Sequence, residues 1–168
     1  MFSKIKRLPW RVVIPWTLFA VAAATAVFFF LRYNDLKTEA DERAEAQAVA
    51  RDFVEALTNF SYQTIEDDVA QIRSFAVGDF SEELDVFFGP DGIEAIPQAE
   101  AVSEGQILSL FVQAVDADEA SVFAVVDETI TNAAASEPTT DTLRLEVGLI
   151  ETEQGWKVNR VEVYQSPG

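Results

Sequence analysis

The chain has 168 residues, 12 basic and 29 acidic, with neither His nor Cys. The missing residue types exclude a disulfide framework, thiolate and imidazole metal sites, a Cys nucleophile and the Ser-His-Asp triad. Charge is unevenly placed: residues 1–32 carry five basic and no acidic groups, whereas Tyr33 onward carries 7 basic against 29 acidic, a balance of −22. Such a domain repels phosphate backbones and anionic headgroups alike, so no nucleic-acid partner is expected. About 136 residues beyond the basic start suit one domain of ordinary size.

Residues 1–11 hold Lys4, Lys6, Arg7 and Arg11 and read as a basic cytoplasmic tail. Residues 12–31 (VVIPWTLFAVAAATAVFFFL) contain no charge, and eleven of the twenty are Val, Ile, Leu or Phe. As a helix they would cover about 30 Å, the hydrocarbon thickness of a bilayer, with an insertion gain of roughly 3–7 kcal/mol. Ala24-Thr25-Ala26 has the small-x-small form of a signal cleavage site. It lies inside the run, though, ahead of Phe28-Phe29-Phe30, so an uncleaved anchor is the expectation. The basic flank predicts a single-pass topology with the N-terminus inside and residues 33–168 outside the cell membrane.

Residues 32–47 read as a helical stalk and 48–168 as the extracytoplasmic domain. No Gly or Pro interrupts Leu36–Asn59, so one helix is expected from Asn34 to about Phe60, with Val49, Phe53, Leu57 and Phe60 facing a core. Thr64 is placed to cap a second helix with Ile65, Val69, Ile72 and Ala76 on one face. Asp79 is placed to cap a third with Phe80, Leu84, Phe87 and Phe88 inward. Gly89-Pro90-Asp91-Gly92 reads as its end, and Pro97 limits any helix beyond.

From Gly105 the period becomes two. Gly105–Val115 is apolar on both faces and reads as a central strand, and Ala120–Thr131 follows. Leu143, Leu145, Val147 and Leu149 alternate with polar or small residues, and a last strand begins at Trp156. There the phase slips between Val158 and Val161, which predicts a bulge. Helices followed by a four-strand meander give an α+β domain, about three helices on one face of a curved antiparallel sheet.

No reactive constellation stands out. Asp116, Asp118 and Glu119 lack the Gly and distal Glu of a calcium loop, and Glu66-Asp67-Asp68 suits a helix N-terminus. Carboxylates near Tyr62 could move protons in a pocket, yet a chain with 29 acids offers such pairs by chance. Trp156 reads as a core anchor. No catalytic, cofactor-binding or metal residue is assigned, no cofactor is expected, and the chain reads as no enzyme.

Several segments in order carry a family likeness: Ala50-Arg51-Asp52-Phe53-Val54, Ala56-Leu57-Thr58-Asn59-Phe60-Ser61-Tyr62, Thr64-Ile65-Glu66-Asp67-Asp68, Gly78-Asp79-Phe80, Ser103-Glu104-Gly105, Val125 through Asn132, and Trp156-Lys157-Val158. Over nearly its whole length the chain resembles the Mce-associated membrane proteins of actinobacteria. The resemblance implies a cone-shaped nuclear-transport-factor-2-like domain outside the membrane. It also implies a non-catalytic scaffold role in an Mce-type lipid-import complex of the cell envelope, with Mce-complex membrane proteins as partners and the bilayer met through residues 12–31. The alternatives are a subunit of a type IV secretion or conjugation-like channel, and a membrane-tethered small-ligand binder or enzyme. Self-association into a homo-oligomer stays open.

Overall fold

A computed structural model describes residues 10–164 except 117 and 136, with side chains described from residue 25 onward apart from 31–36, 90 and 91. The chain divides into two compact units, the first ending at Asp41 and the second beginning at Glu42. Helix α1 (Trp10–Thr58) supplies the described backbone of the first unit. There Val27, Phe28, Phe29 and Phe30 are exposed, and Phe28 and Phe29 meet edge to face with ring centres 6.0 Å apart. Most side chains of the expected span, residues 12–31, lie outside the described residues. Among those described, no helix is long and apolar enough to cross a membrane.

The second unit is an α+β domain built on one curled sheet. Strands β1 (Phe60–Ser61), β2 (Val102–Val115), β3 (Glu119–Thr131), β4 (Thr139–Thr152) and β5 (Gly155–Tyr164) run in the order β1-β2-β3-β4-β5, each pair antiparallel. Between them lie α2 (Ile65–Phe75), α3 (Asp79–Phe87) and α4 (Pro90–Gln98). Strict alternation sends Val122, Ala124 and Val126 of β3 and Leu145, Val147 and Leu149 of β4 to the inner face, where all are buried. The expected bulge is present: Gly148 pairs with Arg160 and Leu149 with Val158, leaving Asn159 as the extra residue.

The α1 face is broader than expected. Ala46, Ala50, Phe53 and Val54 are fully buried, with Val49 and Leu57 packed beside them. In α2, Ile65, Val69 and Ile72 are buried as expected, and its acidic first turn suits the helix dipole. Its C-terminal end is tied to β5 by Val77 N–H donating to the Val158 carbonyl (2.9 Å) and Lys157 Nζ to that of Ser74 (2.8 Å).

The structure departs from the sequence reading in six places. Thr64 stands before α2, yet its hydroxyl makes no capping bond and donates to Asp68 Oδ2 (2.9 Å) instead. The first helix ends at Thr58, and Phe60 instead enters β1, a fifth strand that pairs with Ser103 and Val102. Strand β2 is not central: beyond Ser103 its outer edge has no strand partner among the described residues, and its second apolar face leaves Leu108 and Phe111 exposed. Asp79 is the first residue of α3 rather than its cap. That place belongs to Gly78, whose φ of 61° and ψ of −144° suit a residue without Cβ. Phe87 is exposed, because the helix stops there and Phe88 completes the inward stripe of Phe80 and Leu84. Finally, Pro90 begins α4 at its N1 position rather than closing α3, its missing N–H costing nothing there.

Candidate functional site

The inner face of the sheet is lined by packed apolar side chains. Phe53 packs edge to face on Phe75 (6.0 Å between ring centres) and on Phe80 (5.8 Å), with Ile72, Leu84 and Trp156 buried around them. Trp156 is thus part of the core. Each such ring contributes about 0.5–1.5 kcal/mol beyond its area when a partner lies at this geometry. No ionisable side chain is buried among these residues; the buried polar groups described are Thr58 and Ser103.

Those two belong to a junction where α1 ends against β2. Thr58 Oγ1 donates back to the Val54 carbonyl (2.8 Å), and Ser103 Oγ lies 2.8 Å from the Thr58 carbonyl and 2.7 Å from Glu128 Oε1. The Asn59 amide mimics a strand: its Oδ1 accepts from Gly105 N–H (3.1 Å) while Nδ2 donates to the Glu55 carbonyl (2.8 Å) and, at 3.4 Å, to the Gly105 carbonyl. Gly105 is obligatory, since a Cβ there would collide with the Thr58 side chain. Close by, Asp68 Oδ2 accepts from Ser61 N–H (3.1 Å) and Thr64 Oγ1 (2.9 Å). Many residues that carried the family likeness therefore meet at one place. Their contacts there fix the helix end to the sheet.

Three hollows described in the second unit open at its surface. One of about 460 Å³ opens between α3, the β2–β3 turn and β5, and its charged lining is Asp79, Glu83, Asp116, Glu119 and Arg160. Another of about 690 Å³ lies between α1, α2 and β2, bordered by Arg51, Asp52, Glu55, Gln71 and Phe75. Asp118 does not line the first. Its carbonyl accepts from Glu151 N–H (2.9 Å), and Asp116 N–H closes the turn onto Glu119 (2.8 Å). Among the described residues no group of three or more acidic side chains is placed to hold a metal. Tyr62, Glu66 and Asp67 border a small hollow of about 250 Å³, where the Tyr62 hydroxyl accepts from Gln63 Nε2 (3.1 Å).

The outer sheet face holds a cluster that sequence spacing did not reveal. Phe123 stacks on Phe111 (5.5 Å) and Tyr164 (6.2 Å). Register places Glu146 directly opposite Glu162, a like-charge pair that would weaken the sheet. Arg160 answers both (3.6 and 3.4 Å), and the Tyr164 hydroxyl lies within bonding distance of both (2.9 and 3.0 Å). Hydrogen bonding to Glu146, then to Glu162, pushes the Tyr164 phenol up from 10.0 to about 12, because losing its proton would add a third negative charge. The only foreshadowing was the alternation of β4; the pairing partners are set by the bulge at Asn159.

Helices gathered on one face of a curled antiparallel meander make a fold that this chain shares with several solved proteins. The VirB8 protein of Agrobacterium tumefaciens superposes with a TM-score of 0.60 at 12% identity, covering 76% of this chain and 95% of that one. An IcmL-like type IV secretion system protein of Legionella pneumophila gives 0.57 at 13% identity, covering 75% and 95%. A putative aromatic ring hydroxylase from Novosphingobium aromaticivorans gives 0.58 at 16%, covering 76% and 91%. At these identities the likeness is one of fold. The chain belongs to the family described as uncharacterized protein Rv1363c/MT1408-like, whose model matches residues 11–165. Rv1363c of Mycobacterium tuberculosis is 25% identical over 163 residues, covering 90% of this chain, which spans 62% of that relative's length.

Proposed function

We propose that the chain is a single-pass membrane protein whose outer domain is a non-catalytic assembly subunit of an envelope transport complex. The observation that carries this reading is the packed interior, where Phe53 meets Phe75 and Phe80 edge to face, whereas a ligand site needs open space and converging polar groups. A domain without His or Cys and with a packed interior is suited to contact rather than chemistry. The uncharged run 12–31 and its basic flank support an anchor with the domain outside, where a tether confines it beside other membrane subunits. The sequence resemblance names Mce lipid importers as the complex. Fold likeness to a type IV secretion protein supports the same kind of role and favours, as a second reading, a channel of that type.

The test is deletion of the chain. The Mce proteins and their permease should fall in amount or assembly, and lipid uptake with them. Residues 33–168 exported without the anchor should restore little. Normal Mce assembly and uptake in the deletion strain would remove the Mce reading, and protection of the domain from protease added to intact spheroplasts would invert the topology.

A further inference from the structure

Helix α3 has two apolar stripes, and only one is covered. Phe80, Leu84 and Phe88 enter the core, whereas Val86 and Phe87 stand 84% and 73% exposed, more than any other large apolar side chain described. On the same outer stripe, one and two turns earlier, lie Asp79, Glu82 and Glu83 (i, i+3, i+4, with Val86 and Phe87 at i+7 and i+8). The five residues line one open hollow of about 520 Å³. Asp79 and Glu83 also border the adjoining hollow that holds Asp116 and Glu119, so the acidic rim continues past the helix.

Helix-dipole stabilisation accounts for Asp79 and Glu82 in the first turn but not for the apolar end of the helix. The comparison is α2, which has the same acidic start and then the basic Arg73 in its last turn, paired with Asp85 across to α3 (3.0 Å). The last turn of α3 has no basic residue and presents Val and Phe to water instead. Among the described residues Asp79, Glu82 and Glu83 form no ion pair.

We propose that the outer stripe of α3 is a docking surface for a basic amphipathic helix of a partner protein. Val86 and Phe87 would seat its apolar side chains, and Asp79, Glu82 and Glu83 would face its Lys or Arg. Charge selects this occupant. A second copy using the same face would set carboxylates on carboxylates in a domain whose balance is −22. An anionic membrane surface meets the same repulsion. The inference rests on the assembly reading for the existence of a partner and adds where and how that partner binds.

The test uses the full chain in neutral detergent, with a fluorescent amphipathic Leu/Lys helix as probe and its Leu/Glu counterpart as control. The Leu/Lys helix should bind saturably and the Leu/Glu helix should not. Phe87→Ser should weaken binding about tenfold or more, and Glu82→Lys with Glu83→Lys likewise. The matched reversal Glu137→Lys with Asp141→Lys, at exposed positions elsewhere, should change it little. Val86→Ser provides a second apolar truncation should Phe87→Ser alter the fold. No binding, equal binding to the apolar truncations, equal loss from both charge reversals, or dimers that Phe87→Ser dissolves would each overturn the proposal. If Phe87→Ser still co-purifies with the transport complex, the surface is wrong while the assembly role stands.

Discussion

The interior of the domain and the outer stripe of α3 are built from the same residue types and meet opposite fates. Phe53, Phe75 and Phe80 close on one another inside the sheet, while Val86 and Phe87 of the neighbouring helix flank stay open to water. The difference teaches where this protein can act. The interior rings hold the fold together, whereas on α3 uncovered apolar groups sit beside carboxylates that form no ion pair among the described residues, a surface suited to a partner.

Substitutions can break that contrast. The largest effect is expected from Phe53→Asp, which puts a carboxylate among buried rings and should cost about 4 kcal/mol or more, a large part of the roughly 5–15 kcal/mol that keeps a domain folded. Glu45→Ala, exposed on the same helix, should leave the melting temperature nearly unchanged. Equal melting of the two would mean that the buried face of α1 is misassigned. Gly105→Ala comes next, because its methyl group meets Thr58; about 2 kcal/mol should be lost by chemical denaturation. Asn59→Ala, which strips the Gly105 backbone of its side-chain partner, should cost about 1 kcal/mol. On the other side of the contrast, Phe87→Ser should cost no more than about 1 kcal/mol, since its ring is mostly in water and meets Phe88 edge to face (5.0 Å).

The smallest effect concerns Tyr164. Phenolate absorbance should show a component ionising at about 12 that vanishes in Tyr164→Phe. A folded value above the unfolded one means that its contribution to stability is complete below 10.0 and is lost as pH rises through about 12. Absence of that component would dismiss the hydrogen bonds to Glu146 and Glu162.

Much of the architecture was legible because burial leaves a period. Val122, Ala124 and Val126 alternate with Ser121, Phe123 and Val125, and the slip from Val158 to Val161 announced the bulge. What escaped notice depends on context that local pattern does not carry. Pro90 can stop one helix or begin another, and two-residue β1 is too short for any period. The apolar run of β2 looked central because a strand exposed on one face can be as apolar as a buried one. What finishes its edge is polar: the Asn59 amide at Gly105 and, at a long 3.5 Å, Gln47 Nε2 on the Leu110 carbonyl. The α3 surface was hidden more thoroughly still. Phe87 and Phe88 are adjacent, and only the point where the helix ends decides which turns inward.

The proposed role of this domain is to hold partners at a membrane. Affinity purification of the full chain from detergent-solubilised membranes of its own cell, with quantitative mass spectrometry, tests it most directly. The account predicts recovery from the membrane fraction together with subunits of an envelope transport complex, Mce proteins and their permease first among them, in fixed proportion to the chain. Recovery of the chain alone, or from the soluble fraction, would contradict it.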